Sequence, residues 1–253
     1  MTLATLESRG LTKTYRSTDP PTTVITGIDL TVTSGEYLVI MGASGSGKST
    51  LLAVLSGMDR PTSGTVRHDG RDLTALTDEA MSRVRLTRMG YVFQQPYFLA
   101  TLTIRDNVLL AALKAAPREQ AATIARVDAL LDRFGIAAIA ERGITQVSGG
   151  QLQRAAICRA LAAEPSVLFA DEPTGALNSS MSSEVLDVLT QVHRDGTTIV
   201  MATHDTACAA RADRVVYLRD GLLIDTLALG RWSQDAADDR EVDLVAWLRR
   251  LDV

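Results

Sequence analysis

The sequence predicts an α/β fold whose mostly parallel sheet is covered on both faces. Three observations predict it. From Tyr37 onward, short apolar β-favouring runs alternate with segments of helical periodicity. The stretch Gly42-Ala43-Ser44-Gly45-Ser46-Gly47-Lys48-Ser49-Thr50 lies between one such run and one such helix. From Ile104 to about Gly143 the pattern is helical, which marks a helical insertion into the alternating core.

The elements follow in order. Residues 1–40 alternate in places, as in Thr23-Val24-Ile25 and Ile28-Asp29-Leu30-Thr31-Val32, and turn at Asp19-Pro20-Pro21 and Ser34-Gly35-Glu36. They predict short, mainly antiparallel strands. Tyr37–Met41 is a buried strand, and Leu51, Leu52, Val54 and Leu55 repeat at helical spacing until Pro61-Thr62-Ser63-Gly64. Thr65–His68 is a strand before the turn at Asp69-Gly70, and Met89–Phe93 is a buried strand. Pro117 and Gly135 break the inserted helices. Then come helix Leu152–Ala163, strand Val167–Ala170, helix Ser182–Val192, and strands Thr198–Ala202 and Val215–Leu218. Asp220-Gly221 turns a hairpin into Leu222–Asp225. Residues 1–230 form one domain, with a helical subdomain at about 100–163. Residues 231–253 form a polar linker, Asp235–Arg240, and a short helix carrying Val242, Leu244, Val245, Trp247, Leu248 and Leu251. Asp243, Arg249 and Arg250 deny that helix a strongly basic face, so it is expected to pack on its own domain rather than on a membrane.

Composition narrows the function classes. The 253 residues suffice for a substantial core. The apolar and charged fractions, 46 % and 22 %, are those of a soluble globular protein. A formal charge of −4 argues against a broad cationic surface, so no nucleic-acid partner is expected. No apolar run is long enough to span a bilayer; Lys114 breaks the one that begins at Val108. The first residues, Met1–Glu7, lack the pattern of a signal peptide, so a cytoplasmic location is expected. Cys158 and Cys208 form no metal-type pair and are expected to be buried thiols; His68 and His193 are expected at the surface.

The nonapeptide fits G-x-x-x-x-G-K-[ST], a phosphate-binding loop. Glycines let the backbone curl so that its N–H groups meet phosphate oxygens, and the following helix adds a partial positive charge. Lys48 would reach the β- and γ-phosphates, and Ser49 would hold Mg²⁺. Asp171-Glu172 follows the strand Val167–Ala170, where open α/β sheets bind ligands. Alone the pair reads as a helix N-cap; beside a phosphate loop, Asp171 reads as a Mg²⁺ carboxylate and Glu172 as the group that polarises an attacking water. Ser148-Gly149-Gly150-Gln151 opens another helix and is either an anion site or a plain N-cap with a tight turn.

These motifs, in this order, resemble the ABC-transporter ATPase family over roughly residues 3–230. The family signature is Leu-Ser-Gly-Gly-Gln; here Val147 precedes Ser148-Gly149-Gly150-Gln151. The resemblance implies a P-loop, RecA-like core with an antiparallel β subdomain and an α-helical subdomain. It implies that Tyr15 stacks on adenine, that Gln94 (with Gln95 as the alternative) reaches Mg²⁺ and the water, and that His204 lies near the γ-phosphate. It also implies an ATP-sandwich homodimer, with Lys48 and Ser49 of one copy facing Ser148 and Gly150 of the other. Ile40–Lys48, Leu55-Ser56-Gly57-Met58-Asp59, Asp72–Leu76 and Phe169–Leu177 look most like the MacB, lipoprotein-release and FtsE group, especially the bacitracin-resistance-type peptide transporters. That group implies an FtsX-like permease partner, peripheral attachment to the inner face of the membrane, and a coupling surface at Tyr97, Phe98 and Leu99. An FtsE-like regulator of cell-wall hydrolases is the competing reading. A translation or repair ATPase lacks support, because neither a second cassette nor a coiled-coil insertion is present in the sequence. A small-molecule or nucleotide kinase is disfavoured by the Ser148–Gln151 signature.

One departure stands out. After Pro173-Thr174-Gly175-Ala176-Leu177 the family usually has Asp, and this chain has Asn178. Asn keeps size and hydrogen bonding but loses the charge. Asn178→Asp is therefore predicted to hydrolyse ATP faster than the native chain in a steady-state assay; an equal rate would make Asn178 a neutral variation, and a lower one would contradict the prediction outright.

Overall fold

The computed structural model describes residues 4–17 and 19–251. Met1–Leu3, the start of the segment read as lacking a leader, lie outside them. The chain forms two compact units, Met1–Met81 with His193–Val253, and Ser82–Val192.

The first unit contains an antiparallel sheet in the order β2-β1-β4-β5. Its strands are β1 (Ala4–Tyr15), β2 (Thr22–Thr33), β4 (Ser63–His68) and β5 (Arg71–Asp72). β1 and β2 are longer than the short strands expected. The reason is a change of phase within β1: Leu6 and Ser8 are buried before Gly10, and Leu11 and Lys13 after it. Gly10 has φ +55° and sits at a break in register, so an extra residue rotates the buried face by one position. Asp69 and Gly70, both at positive φ, turn β4 back into β5.

The same unit holds β3 (Tyr37–Met41), parallel to both β8 (Thr198–Thr203) and β9 (Arg214–Arg219), with β10 (Leu222–Ala228) antiparallel to β9. β3 and β8 are buried at every position, as a parallel strand covered on both faces must be. Asp220 and Gly221, again both at positive φ, make the β9–β10 turn. Helix α1 (Lys48–Leu55) ends earlier than expected, because Ser56 caps it and Gly57 (φ +65°) turns the chain away before Pro61. Helix α7 (Thr206–Ala209) is short. The stretch read as a polar linker is a 3-10 turn, Gln234–Ala236, and the first turn of α8 (Ala237–Arg250). α8 packs on its own unit: Leu244 and Trp247 are buried, while Val242 faces out.

In the second unit β6 (Met89–Val92) pairs in parallel with β7 (Val167–Asp171). Around them lie α3 (Ile104–Ala115), α4 (Gln120–Arg133) and α5 (Gly149–Leu161). Pro117 and Gly135 fall after α3 and α4, where they were expected to break the helices. Gly90 of β6 packs so closely on α5 that a Cβ there would lie 2.6 Å from the Ala160 carbonyl oxygen. Two helices begin in one unit and end in the other, α2 (Asp78–Arg88) and α6 (Ser179–Arg194). The sequence reading contained no α2.

Cys158 and Cys208 are free and buried, as expected; burial pushes the Cys158 thiol up to about 12. The two histidines contradict the reading. His68 is 4 % exposed and His193 3 %. His193 Nε2 lies 2.9 Å from Asp213 Oδ2 and 3.0 Å from the Gly35 carbonyl oxygen, and its ring meets Tyr37 edge-on at 5.5 Å. Both polar partners of Nε2 are acceptors, so that nitrogen carries a proton. Asp213 also accepts from the Tyr37 N–H at 3.0 Å. Burial raises the Asp213 pKa, but the hydrogen bonds from His193 and Tyr37 outweigh it and hold the carboxyl below its ordinary range. A depressed carboxyl pKa contributes stability above about pH 4 and loses it as pH falls through the folded value. Asp213→Asn is therefore predicted to be less stable than the native chain by about 1–3 kcal/mol at pH 7 in urea titration. The gap is expected to narrow below about pH 4; a gap independent of pH would show that the charge contributes nothing.

Candidate functional site

In the first unit, β3 delivers the chain into the glycine loop and α1 takes it away. Gly42 lies against β9: a Cβ there would sit 2.2 Å from the Leu218 carbonyl oxygen and 2.6 Å from Ser46 Oγ. Gly47 caps α1 at φ +104°, where a Cβ would meet the Val24 carbonyl oxygen at 2.9 Å. Only glycine fits these positions. The loop is cross-tied by Ser46 N–H to the Ala43 carbonyl at 3.2 Å, and by Gly221 N–H to the Ser46 carbonyl at 3.2 Å. Lys48 is buried, and its Nζ donates to the carbonyls of Gly42 at 2.8 Å and Ala43 at 3.1 Å. Ala43, Ser44, Gly45 and Ser49 are exposed, and Thr50 is half-buried.

This geometry fits a phosphate chain. No side chain caps the start of α1, and its first turn holds no acidic residue. An anion thus meets the positive end of the helix without competition from a carboxylate. Ser46 Oγ is buried and has no hydrogen-bond partner, which leaves a polar group that a phosphate oxygen would satisfy.

Two further expected residues belong to this unit. Tyr15 is half-buried at the end of β1, and its hydroxyl donates to Asp59 Oδ2 at 3.0 Å. Lys13 Nζ stands 4.8 Å from the ring centroid and donates to Asp59 Oδ1 at 2.6 Å. The ring is thus held in place by two residues to which the sequence reading assigned no part in the site. His204 is exposed, between Thr203 at the end of β8 and Asp205, the N-cap of α7.

In the second unit, Asp171 ends β7 and is half-buried. Tyr91 lies nearby: burial first, then the charge of Asp171, pushes its phenol up, and its ring is tilted against Phe93 at 4.3 Å and stacked with Phe169 at 6.1 Å. Glu172 has φ +46°, a left-handed conformation that a non-glycine residue adopts at a cost. Its carbonyl accepts from Gly175 N–H at 3.0 Å, closing a tight turn. Gln94 is exposed and lies against that turn: a Cβ at Gly175 would be 2.9 Å from Gln94 Nε2. The structure thus brings Gln94 and the Glu172–Gly175 turn together, although 78 residues separate Gln94 from Glu172.

Ser148 is the N-cap of α5. Its Oγ accepts from Gln151 N–H at 3.3 Å, and Gln151 Oε1 accepts from Ser148 N–H at 2.9 Å. Gln151 therefore completes a capping box. Gly149 is exposed and Gly150 is buried against Met181. Asn178 caps α6, its Oδ1 accepting from Met181 N–H at 2.9 Å. Aspartate would cap as well, so the Asn178→Asp comparison isolates charge from helix capping.

Sequence reasoning missed the residues that hold the loop after β6. Gln153 donates to the Phe93 carbonyl at 3.0 Å. Arg159 donates to the carbonyls of Pro96 at 2.5 Å and Tyr97 at 3.2 Å, with its guanidinium 4.4 Å from the Phe98 ring centroid. Asn107 of α3 accepts from Leu99 N–H at 2.8 Å and donates to the Leu99 carbonyl at 3.1 Å. A signal existed: Gln153 falls on the buried face of α5, with Gly150, Ile157 and Ala160. On the loop they hold, Tyr97 is 71 % and Leu99 51 % exposed.

Among the described residues no group of three or more His, Cys, Asp or Glu is arranged to hold a metal ion. The expected Mg²⁺ donors, Ser49, Gln94 and Asp171, are hard oxygen groups. Mg²⁺ ordinarily takes one or two carboxylates and draws its remaining ligands from phosphate and water.

A parallel strand, a glycine loop packed against a neighbouring strand, and an uncapped helix start define a phosphate-loop nucleotide-binding fold. Residues 25–175 match the ABC transporter family, and the chain belongs to that family. It is 42 % identical over 218 residues to the lipoprotein-releasing system ATP-binding protein LolD 1 of Rhodopseudomonas palustris, covering 85 % of this chain and 96 % of that protein. It is also 42 % identical over 221 residues to the macrolide export ATP-binding/permease protein MacB of the same species. That match covers 87 % of this chain but 34 % of the relative, so the chain spans about a third of the MacB proteins it matches. Among solved structures, the dimeric post-hydrolysis state of the ATP-binding cassette MJ0796 with ADP and Pi matches with TM-score 0.80 at 32 % identity. The match covers 90 % of this chain and all of that one. The expected phosphate-loop cassette fold is thereby established.

The packing around Gly42 generates a prediction. Gly42→Ala forces the loop away from Leu218 and is predicted to weaken binding of a fluorescent ATP analogue at least about ten-fold, with a modest fall in melting temperature. Unchanged binding would show that the loop geometry is not what holds phosphate.

Proposed function

We propose that this chain is the ATP-binding and hydrolysing subunit of a bacterial ABC transporter, and that it dimerises on ATP to drive an FtsX/MacB-like permease in export, antimicrobial-peptide resistance or lipoprotein handling. The observation that carries this reading is the phosphate loop with its buried, unpartnered Ser46 hydroxyl and uncapped helix start. The likeness to a cassette dimer bound to ADP and Pi supports it.

Gly42, Ala43, Ser44, Gly45, Ser46, Gly47, Lys48, Ser49 and Thr50 would cradle the triphosphate, with Lys48 turning from its loop carbonyls to the phosphates. Tyr15 would stack on the base. Ser49, Asp171 and Gln94 would hold Mg²⁺, which supplies charge neutralisation on the phosphates. Glu172 would accept the proton of the attacking water, whose oxygen forms a bond to the γ-phosphorus as the bond to the ADP oxygen breaks. The left-handed backbone at Glu172 supports this role, since strain of that kind concentrates at functional sites. His204 and Gln94 would orient the water and γ-phosphate. Ser148, Gly149, Gly150 and Gln151, with Asn178, would contact the nucleotide held by a second copy; the capping box leaves backbone N–H groups of Gly149 and Gly150 at a positive helix end for that purpose. A bridging phosphate charge that is present before hydrolysis and absent after it drives a conformational cycle.

No helix among the described residues is long and apolar enough to cross a membrane. Attachment to the inner face would come through the permease. The exposed Tyr97 and Leu99 are the surface we assign to that contact. The second reading, an FtsE-like regulator of cell-wall hydrolases, shares the cassette and differs in output; the identity of a copurifying permease separates the two.

Two predictions test the reading. Glu172→Gln is expected to bind ATP about as well as the native chain, to lose turnover by roughly 10²–10⁴-fold, and to elute as a dimer with ATP. Retained turnover would remove Glu172 from the chemistry. Tyr97→Ala is expected to abolish stimulation of ATPase by the copurified permease while leaving nucleotide affinity intact; an equal loss of both would make the loop structural.

A further inference from the structure

We propose that Arg240 and Trp247 of α8 are positioning residues for nucleotide turnover: Arg240 fixes the segment that carries His204, and Trp247 fixes the hairpin against which the phosphate loop is built. The proposal rests on the ATPase reading above and adds a role for the last helix, which lies wholly in the first unit with these partners.

α7 has a single turn and cannot hold itself, since a helix that short lacks the bonds to offset its nucleation cost. Its N-terminal end is fixed locally. Asp205 Oδ1 accepts from Ala207 N–H at 2.8 Å, and Asp205 N–H donates to Thr203 Oγ1 at 3.1 Å. The other end is fixed by Arg240, which is 6 % exposed. Nε donates to the Ala210 carbonyl at 2.9 Å and Nη2 to that of Ala212 at 2.5 Å. Nη1 donates to the carbonyls of Leu229 at 2.9 Å and Arg231 at 3.3 Å. One guanidinium thus ties the chain after α7 to the chain after β10. The Ala210 and Ala212 carbonyls follow the end of α7, where donors are otherwise lacking. His204 therefore sits on a segment clamped on both sides.

Trp247 serves a different part of the site. It is 2 % exposed, its Nε1 donates to Asp225 Oδ2 at 2.8 Å, and its ring meets Tyr217 edge-on at 6.2 Å. Tyr217 precedes Leu218, the residue whose carbonyl closes over Gly42. Arg219, next along, donates to the Leu251 carbonyl at the end of α8. The turn beyond supplies Gly221 N–H to the Ser46 carbonyl. The β9–β10 hairpin thus makes backbone contacts to the loop through Leu218 and Gly221, while Tyr217, Arg219 and Asp225 bind α8. A shift of α8 would move the backbone surface that shapes the loop.

The two residues act on different steps, which makes the proposal separable from plain stabilisation. The test uses the full chain, with steady-state hydrolysis, binding of a fluorescent ATP analogue and thermal unfolding measured on each variant. Arg240→Ala is expected to lower kcat about ten-fold with nucleotide affinity unchanged, and Arg240→Lys to recover part of it, because lysine replaces some of the donors. Trp247→Ala is expected to weaken nucleotide binding and raise KM about ten-fold, and Trp247→Phe to restore most of the loss by keeping the aromatic contact. If an Ala form does not fold, the Lys and Phe forms carry the same comparison. Native kcat and KM in all variants would overturn the proposal, as would falls in kcat that track melting temperature with no split between the two sites. Hydrolysis by the native chain, measured against buffer alone, separates the two levels: if the native chain shows no ATP turnover, the ATPase reading fails and this proposal fails with it.

Discussion

The tight approach of Gly42 to the Leu218 carbonyl is the constraint on which the nucleotide loop depends. With a Cβ excluded at 2.2 Å, the chain passes close under β9 and must then curl back to begin α1. The curl is stabilised by backbone ties to Ala43 and Gly221 rather than by side-chain packing. It leaves Lys48 held on carbonyls and Ser46 Oγ with no partner. A buried hydroxyl without a partner is costly in a folded protein, and a phosphate oxygen would satisfy it. The geometry of the loop thus suits an anionic ligand.

The second unit is organised around α5. Its first residue is capped by Ser148 and Gln151, and its body reaches back through Gln153 and Arg159 to the loop of Phe93–Phe98. Polar side chains from a buried helix face satisfying loop carbonyls is what lets a loop stay ordered while it exposes Tyr97 and Leu99. Tyr97 itself adopts φ +47°, a conformation sustained by these bonds. The exposed patch and the helix that opens with Ser-Gly-Gly are therefore joined by hydrogen bonds from Gln153 and Arg159.

Much of this was legible in the sequence, and the failures have physical causes. Strands such as β3, β7 and β8 read clearly because parallel strands buried on both faces are uninterrupted apolar runs. The Asp-Gly turns read clearly because few other pairs tolerate two positive φ values. β1 read poorly: its buried positions include Ser8 and Lys13, and the bulge at Gly10 shifts the phase midway. α2 was invisible because Asp78–Arg88 is largely polar. His193 was misjudged because the acceptors that bury it, Gly35 and Asp213, are distant in sequence or are backbone atoms. The same holds for the site. Motif residues announce themselves by spacing, whereas the Leu218 and Val24 carbonyls that shape the loop leave no side-chain signal. Arg240 was assigned to a linker because a charged residue amid Asp238 and Asp239 looks solvated until its four carbonyl partners are seen.

The central claim is that this loop binds a nucleoside triphosphate through Lys48 and the surrounding N–H groups. Calorimetric titration of the native chain and Lys48→Ala with ATP and Mg²⁺ tests it most directly. The account predicts saturation near one nucleotide per native chain and a loss of affinity of at least about ten-fold on removing the ammonium group, since a charge-assisted phosphate contact contributes on the order of 1.5–3 kcal/mol. Equal affinity in the two proteins, or no heat of binding in the native one, would contradict it.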